Sequence, residues 1–189
     1  MTRIWRNIIV SGGLSALLLL WSSATFAAAF KVGSASGTCS SPTHATIAAA
    51  IAAAAASAAT PHTISICPGT YSESALTLNN ARHNGMTITS TTANKADVTV
   101  AAGSGARAFD INGRSSLTLS HLTITGNNQG VYVQNWTNGV TLDNLSIQLD
   151  DYSAFSTIGG VEEVTIANNY AEGSGDHGYV INCVRCVIQ

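Results

Sequence analysis

The chain has 189 residues, of which 46% are hydrophobic and only 10% charged, and its formal net charge is −2. The few basic residues are scattered, which excludes a polyanion-binding surface of the nucleic-acid kind. A chain of this length holds one domain, and its Ser, Thr and Asn content suits a hydrated exterior.

Residues 1–29 read as a secretory signal peptide. Arg3 and Arg6 open it, residues 8–21 are mostly apolar, and Ala27, Ala28 and Ala29 offer small residues for cleavage after Ala27 or Ala29. The apolar run is short and broken by Gly12 and Gly13, so it suits a membrane anchor poorly. Cleavage leaves six basic residues against ten acids, a net charge of −4. The expected location is secreted, whether extracellular, periplasmic or at the cell surface, with no membrane association after cleavage.

Residues 30–43 form a linker and 44–60 a capping helix. Ser40, Ser41 and Thr43 supply candidate N-cap hydroxyls, and Pro42 suits a first helical position. Residues 45–59 are nearly all alanine, with Ile47 and Ile51 four apart on one stripe, and Thr60 and Pro61 end the run. Cys39 precedes this helix and Cys67 follows the next strand signal, Ile64-Ser65-Ile66. In an exported chain a bridge between them ties the helix to the first coil, worth about 3 kcal/mol in the chain-entropy model. Cys183 and Cys186 have redox or metal-pair spacing but no second pair and no histidine cluster, which leaves a local bridge or buried thiols.

From residue 109 a pattern recurs. Phe109-Asp110-Ile111, Val131-Tyr132-Val133, Phe155-Ser156-Thr157 and Tyr179-Val180-Ile181 begin at intervals of 22, 24 and 24 residues. Between them lie paired strand signals: Leu117-Thr118-Leu119 with Leu122-Thr123-Ile124, Val140-Thr141-Leu142 with Leu145-Ser146-Ile147, and Val164-Thr165-Ile166 leading to Tyr170. The apolar–polar alternation sends one face of each strand inward, and a fixed period marks a repeat fold with three short strands per turn. Stacked coils about 4.8 Å apart bury a column of Val, Leu and Ile.

On these residues the chain resembles the right-handed parallel β-helix proteins, the family that includes pectate lyases and polygalacturonases, over roughly residues 44–189. The resemblance implies an all-β solenoid at 61–189 with an N-terminal capping helix. It also implies an asparagine ladder at the short bend between second and third strands, where Asn144 and Asn168 fall, with His121 as a partly exposed turn residue. Val187-Ile188-Gln189 closes the sequence mid-strand with no polar cap after it, so the expectation is a solenoid truncated at its C-terminal end or one whose end another chain covers.

The strand that opens each rung and the loop before it form the surface suited to chemistry. Outward positions are Asp110, Tyr132, Ser156 and Val180. A partial resemblance to polygalacturonase-like hydrolases lies in the loops Asn127-Asn128-Gln129-Gly130, Asp150-Asp151 and Asp176-His177-Gly178. It makes Asp150, Asp151, Asp176 and His177 the candidate catalytic residues and Asp110, Gln129, Tyr132 and Tyr152 the candidate substrate contacts. Carboxylates one or two rungs apart fall in the range of about 5 to 9.5 Å that glycoside hydrolysis uses. Tyr132 and Tyr152 offer rings on which a sugar can stack.

Gln129, however, stands where those hydrolases have an acid. The sequence therefore favours a secreted solenoid that binds polysaccharide or a cell-surface glycan, or serves as a structural element. The alternative is a glycoside hydrolase or lyase acting on an acidic polymer. No cofactor is expected for binding or hydrolysis, whereas a lyase calls for calcium on several carboxylates. Glu162 and Glu163 read as a solvated edge that discourages aggregation.

Overall fold

A computed structural model of the chain describes residues 27–34, 39–73, 75–103, 105–173 and 176–189, without the side chains of 127, 149 and 150. Of the signal peptide expected at 1–29, residues 1–26 lie outside the described residues. The described residues coil as a right-handed parallel β-helix with three sheets.

The first sheet stacks Ala28–Val32, His62–Ile66, Thr87–Ser90, Thr118–Ser120, Thr141–Asp143, Thr165–Ala167 and Val187–Ile188, all parallel and in chain order. The second holds Gly69–Ser72, Val98–Ala101, Tyr170–Gly173 and the opening segments of two long strands, Thr123–Gln134 and Ser146–Glu162. Those long strands bend into the third sheet, where they join Leu76–Leu78, Arg107–Asn112 and His177–Val184. Gly130 sits at one such bend: an added Cβ would fall 2.6 Å from the Ala154 carbonyl oxygen and 2.7 Å from Cγ2 of Ile147. Only glycine lets the chain pass that close.

The sequence period survives as register. Phe109 pairs with Val131, Val131 with Phe155 and Phe155 with Tyr179. Alternation puts Phe109, Val131 and Phe155 in the core with Leu119, Leu142, Ile124 and Ile147. The two-residue bends carry left-handed backbone at His121, Asn144 and Asn168, with φ of 57°, 51° and 56°. Asparagine tolerates this conformation better than most side chains.

The ladder itself differs from expectation. Asn169, one residue on, donates to the Leu142 carbonyl (2.8 Å) and accepts from the Leu145 N–H (2.7 Å). Asn168 instead reaches the Asp143 carboxylate at 2.8 Å. The reason is directional: at this bend the second residue takes the place of buried Leu122 and Leu145, so its amide faces the turn backbone.

The helix, α1, spans Ile47–Ala56, buries Ile47, Ala50, Ile51 and Ala54, and is capped by Thr46, whose hydroxyl accepts from Ala49 N–H at 3.1 Å. Thr43 is not the cap because its hydroxyl is engaged with the main chain of Lys31. Glu73, buried and 26 residues away, accepts the Ile47 N–H at 2.6 Å, placing a carboxylate at the positive end of the helix. Ser57 closes the other end, its N–H bonding to the carbonyls of Ala53 and Ala54. The bridge Cys39–Cys67, with Cα atoms 5.6 Å apart, ties this end together, and Gly33 leaves room for it. Cys183 and Cys186 form the local bridge, one of the two outcomes left open by the sequence.

Candidate functional site

In the third sheet, register brings together residues that lie a rung apart. Asp110, Tyr132, Ser156 and Val180 align as one stack, and Arg107, Gln129, Ser153 and His177 as another. Arg107 organises the first two rungs. Its Nε donates to Gln129 Oε1 (2.8 Å), its Nη1 to Asp110 Oδ2 (3.3 Å), and its guanidinium lies 3.7 Å from the centre of the Tyr132 ring. Gln134 donates to the other Asp110 oxygen at 2.8 Å. Both Asp110 oxygens are thus occupied, and the cluster is a rigid set of planar groups.

Nothing in the sequence had joined Arg107 to this group, because it reads as part of an earlier rung. The signal that would have found it is the interval of 22 residues from Arg107 to Gln129, equal to that from Phe109 to Val131.

The second cluster lies beside it, where the two long strands bend. Asn128 donates to Asp151 Oδ2 (2.8 Å), and the Asp176 N–H donates to the Asp151 carbonyl (3.2 Å). The Tyr152 and His177 rings meet edge to face with centres 5.8 Å apart. Asp151, Tyr152, Asp176 and His177 therefore share one neighbourhood, while the side chain of Asp150 lies outside the described residues. Between the clusters Ser153 is buried, and its hydroxyl has no hydrogen-bond partner among the described residues.

Among the described residues no group of three or more His, Cys, Asp or Glu is arranged to hold a metal ion. A concavity of about 270 Å³ lies elsewhere, between α1 and the 75–83 segment, lined by Ala48, Ile51, Ala52, Leu76, Asn80 and His83. Its walls are mostly methyl groups. There His83 is fixed as a neutral ring, Nδ1 accepting from Asn80 N–H and Nε2 donating to the Ile51 carbonyl, both at 3.3 Å.

Three parallel strands per turn, with a left-handed residue at the short bend, make this a parallel β-helix protein. Among solved structures the chain is similar to the pectin methylesterase of Aspergillus niger in its deglycosylated form, with a TM-score of 0.47, 16% identity, and coverage of 84% of this chain and 67% of that one. A second structure of that enzyme, in penultimately deglycosylated form, gives a TM-score of 0.45 at the same identity and coverage. No protein-family model and no curated protein sequence matches the chain.

Proposed function

We propose that this is an exported β-helix protein that binds a polysaccharide across the outer face of its third sheet. The observation that carries the reading is the Arg107 cluster. Arg107, Asp110, Gln129 and Gln134 hold one another in fixed geometry around the Tyr132 ring, so a ligand meets prearranged donors, acceptors and a ring edge at small entropic cost. Hydroxyl-rich chains suit such a surface, since each sugar offers both donors and acceptors. Catalysis has weaker support: each Asp110 oxygen accepts a hydrogen bond, one from Arg107 and one from Gln134, and the Asp151 carboxylate holds Asn128. Export is supported by the apolar leader and by two disulfide bridges, which persist in oxidising compartments. Cleavage after Ala27 keeps the first strand, Ala28–Val32, whole.

The test is affinity electrophoresis of the protein through gels containing pectin, alginate or xylan, with an assay for new chain ends on the same polymers. Retardation is expected, weakened about fivefold to tenfold by Arg107→Ala or Tyr132→Ala, with no release of ends. Release of reducing or unsaturated ends, lost about 100-fold in Asp151→Asn or His177→Ala, would replace the binding reading with an enzymatic one.

A further inference from the structure

Trp136 is 80% exposed, the highest value among the large apolar side chains of the described residues. It also holds left-handed backbone, as does Asn135 before it, with φ of 60° and 54°. Bulky L-residues avoid that conformation, and exposing an indole forgoes its burial. Such costs concentrate where a surface is used.

The indole is nonetheless fixed. Its inner face lies over Gly160, where an added Cβ would fall 2.6 Å from Cε3, 2.8 Å from Cζ3 and 3.0 Å from Cδ2. Trp136 N–H donates to the Gly159 carbonyl at 2.9 Å, and the buried Thr137 hydroxyl donates to the Gln134 carbonyl at 2.5 Å. Beside the ring, Asn135 Nδ2 donates to Asn112 Oδ1 at 3.0 Å. The Asn135 carbonyl oxygen and the Asn112 amide nitrogen remain available to a ligand.

We propose that Trp136 is a saccharide-stacking subsite that takes the apolar C–H face of a pyranose ring, an extension that rests on the binding face described above. A flat ring backed by a glycine and rimmed by amides matches a sugar, which is apolar on its face and hydroxylated at its edge. A protein partner calls for a wider apolar core around such an anchor. The platform is continuous with the Arg107 cluster through Gln134, whose side chain reaches Asp110. Tyr132 and Trp136 are separated by at most about 13 Å of chain, so an oligosaccharide lying along the strand direction meets both.

The experiment uses the exported chain, cleaved after Ala27, with pectin, alginate and xylan as probes. Trp5 and Trp21 leave with the leader, so the tryptophan component of its fluorescence belongs to Trp136. Saturating polymer should shift that component and shield it from iodide. Trp136→Ala should weaken retention about tenfold and Trp136→Phe less. Unchanged retention of Trp136→Ala, or an unshielded Trp136 in a protein still held through Arg107, overturns the subsite and leaves the binding face standing. If the unaltered protein is retained by none of the polymers, face and subsite fall together. The shielding measurement needs no folded alanine variant, so it decides the matter even if that variant is unstable.

Discussion

The capped end of the column and the last rung described are built from the same strand pattern and differ in almost everything else. Ile64 and Ile188 occupy one stack of the first sheet, joined through Ile88, Leu119, Leu142 and Ile166. Ile64 is fully buried and Ile188 is 52% exposed. The same holds in the third sheet, where Phe155 is fully buried and Tyr179, stacked on it at 5.2 Å, is 39% exposed. In a solenoid an apolar position is worth only what its two neighbouring rungs make of it.

The two ends also bind their polar groups differently. At the first, Glu73 caps α1 in a buried position, and the helix covers the column. At the last, Arg185 bridges Glu162 (2.7 Å) and Glu163 (3.0 Å) in solvent. The glutamates expected to form only a solvated edge thus have a cation from the next rung. Exposed pairs of this kind contribute little to stability.

The largest expected effect tests this difference directly. Phe155→Ala should destabilise the fold by about 3 to 5 kcal/mol, because it opens a cavity between two filled rungs. Tyr179→Ala, one rung on, should cost a small fraction of that. Denaturant titration of both variants checks it, and equal losses would mean that burial in this column does not depend on the rung.

Next come the bridges. Removing Cys39–Cys67, whose cysteines are 28 residues apart, should cost about 3 kcal/mol in the chain-entropy model. Removing Cys183–Cys186, only 3 residues apart, should cost less, about 2 kcal/mol or under. Hydrogen exchange should show the first loss in α1 and the second confined to the terminal rung. Loosening of α1 on removal of the second bridge would contradict the quasi-one-dimensional picture.

The smallest effect concerns pH. His62 is buried against Phe30, and neither of its ring nitrogens has a partner among the described residues. Burial, then the Arg82 cation, holds it below the ordinary imidazole value. His83 is lowered by burial first, with Arg114 and His62 adding to this against the opposing bond to Ile51. The folded state therefore binds fewer protons than the unfolded one at mildly acid pH. Stability is complete above the unfolded value of about 6.5 and is lost as pH falls through the folded values. Melting temperature should decline below about pH 6.5, and His62→Leu should flatten that decline. A profile already flat in the unaltered protein from about pH 8 to 5 would show that these rings do not govern the capped end.

The sequence by itself determined the column and which strand residues face out. The intervals between Phe109, Val131, Phe155 and Tyr179 set the rungs, and alternation placed Asp110, Tyr132, Ser156 and Val180 outward. Both are local properties, fixed by the pleat and by a repeat that any stacking preserves. The bridge Cys39–Cys67 was legible too, because one cysteine flanks the helix and the other the strand beneath it.

The tertiary structure alone decided which side chains meet across rungs. Arg107 reaches Gln129 and Tyr132, Asn128 reaches Asp151, Glu73 caps a helix 26 residues away, and Trp136 lies on Gly160. Asn169 rather than Asn168 bonds the turn backbone. Such contacts depend on where each loop returns the chain and on the direction a side chain takes at a bend, where the period of two no longer holds. There the pattern of residue types is silent, and backbone geometry makes the choice.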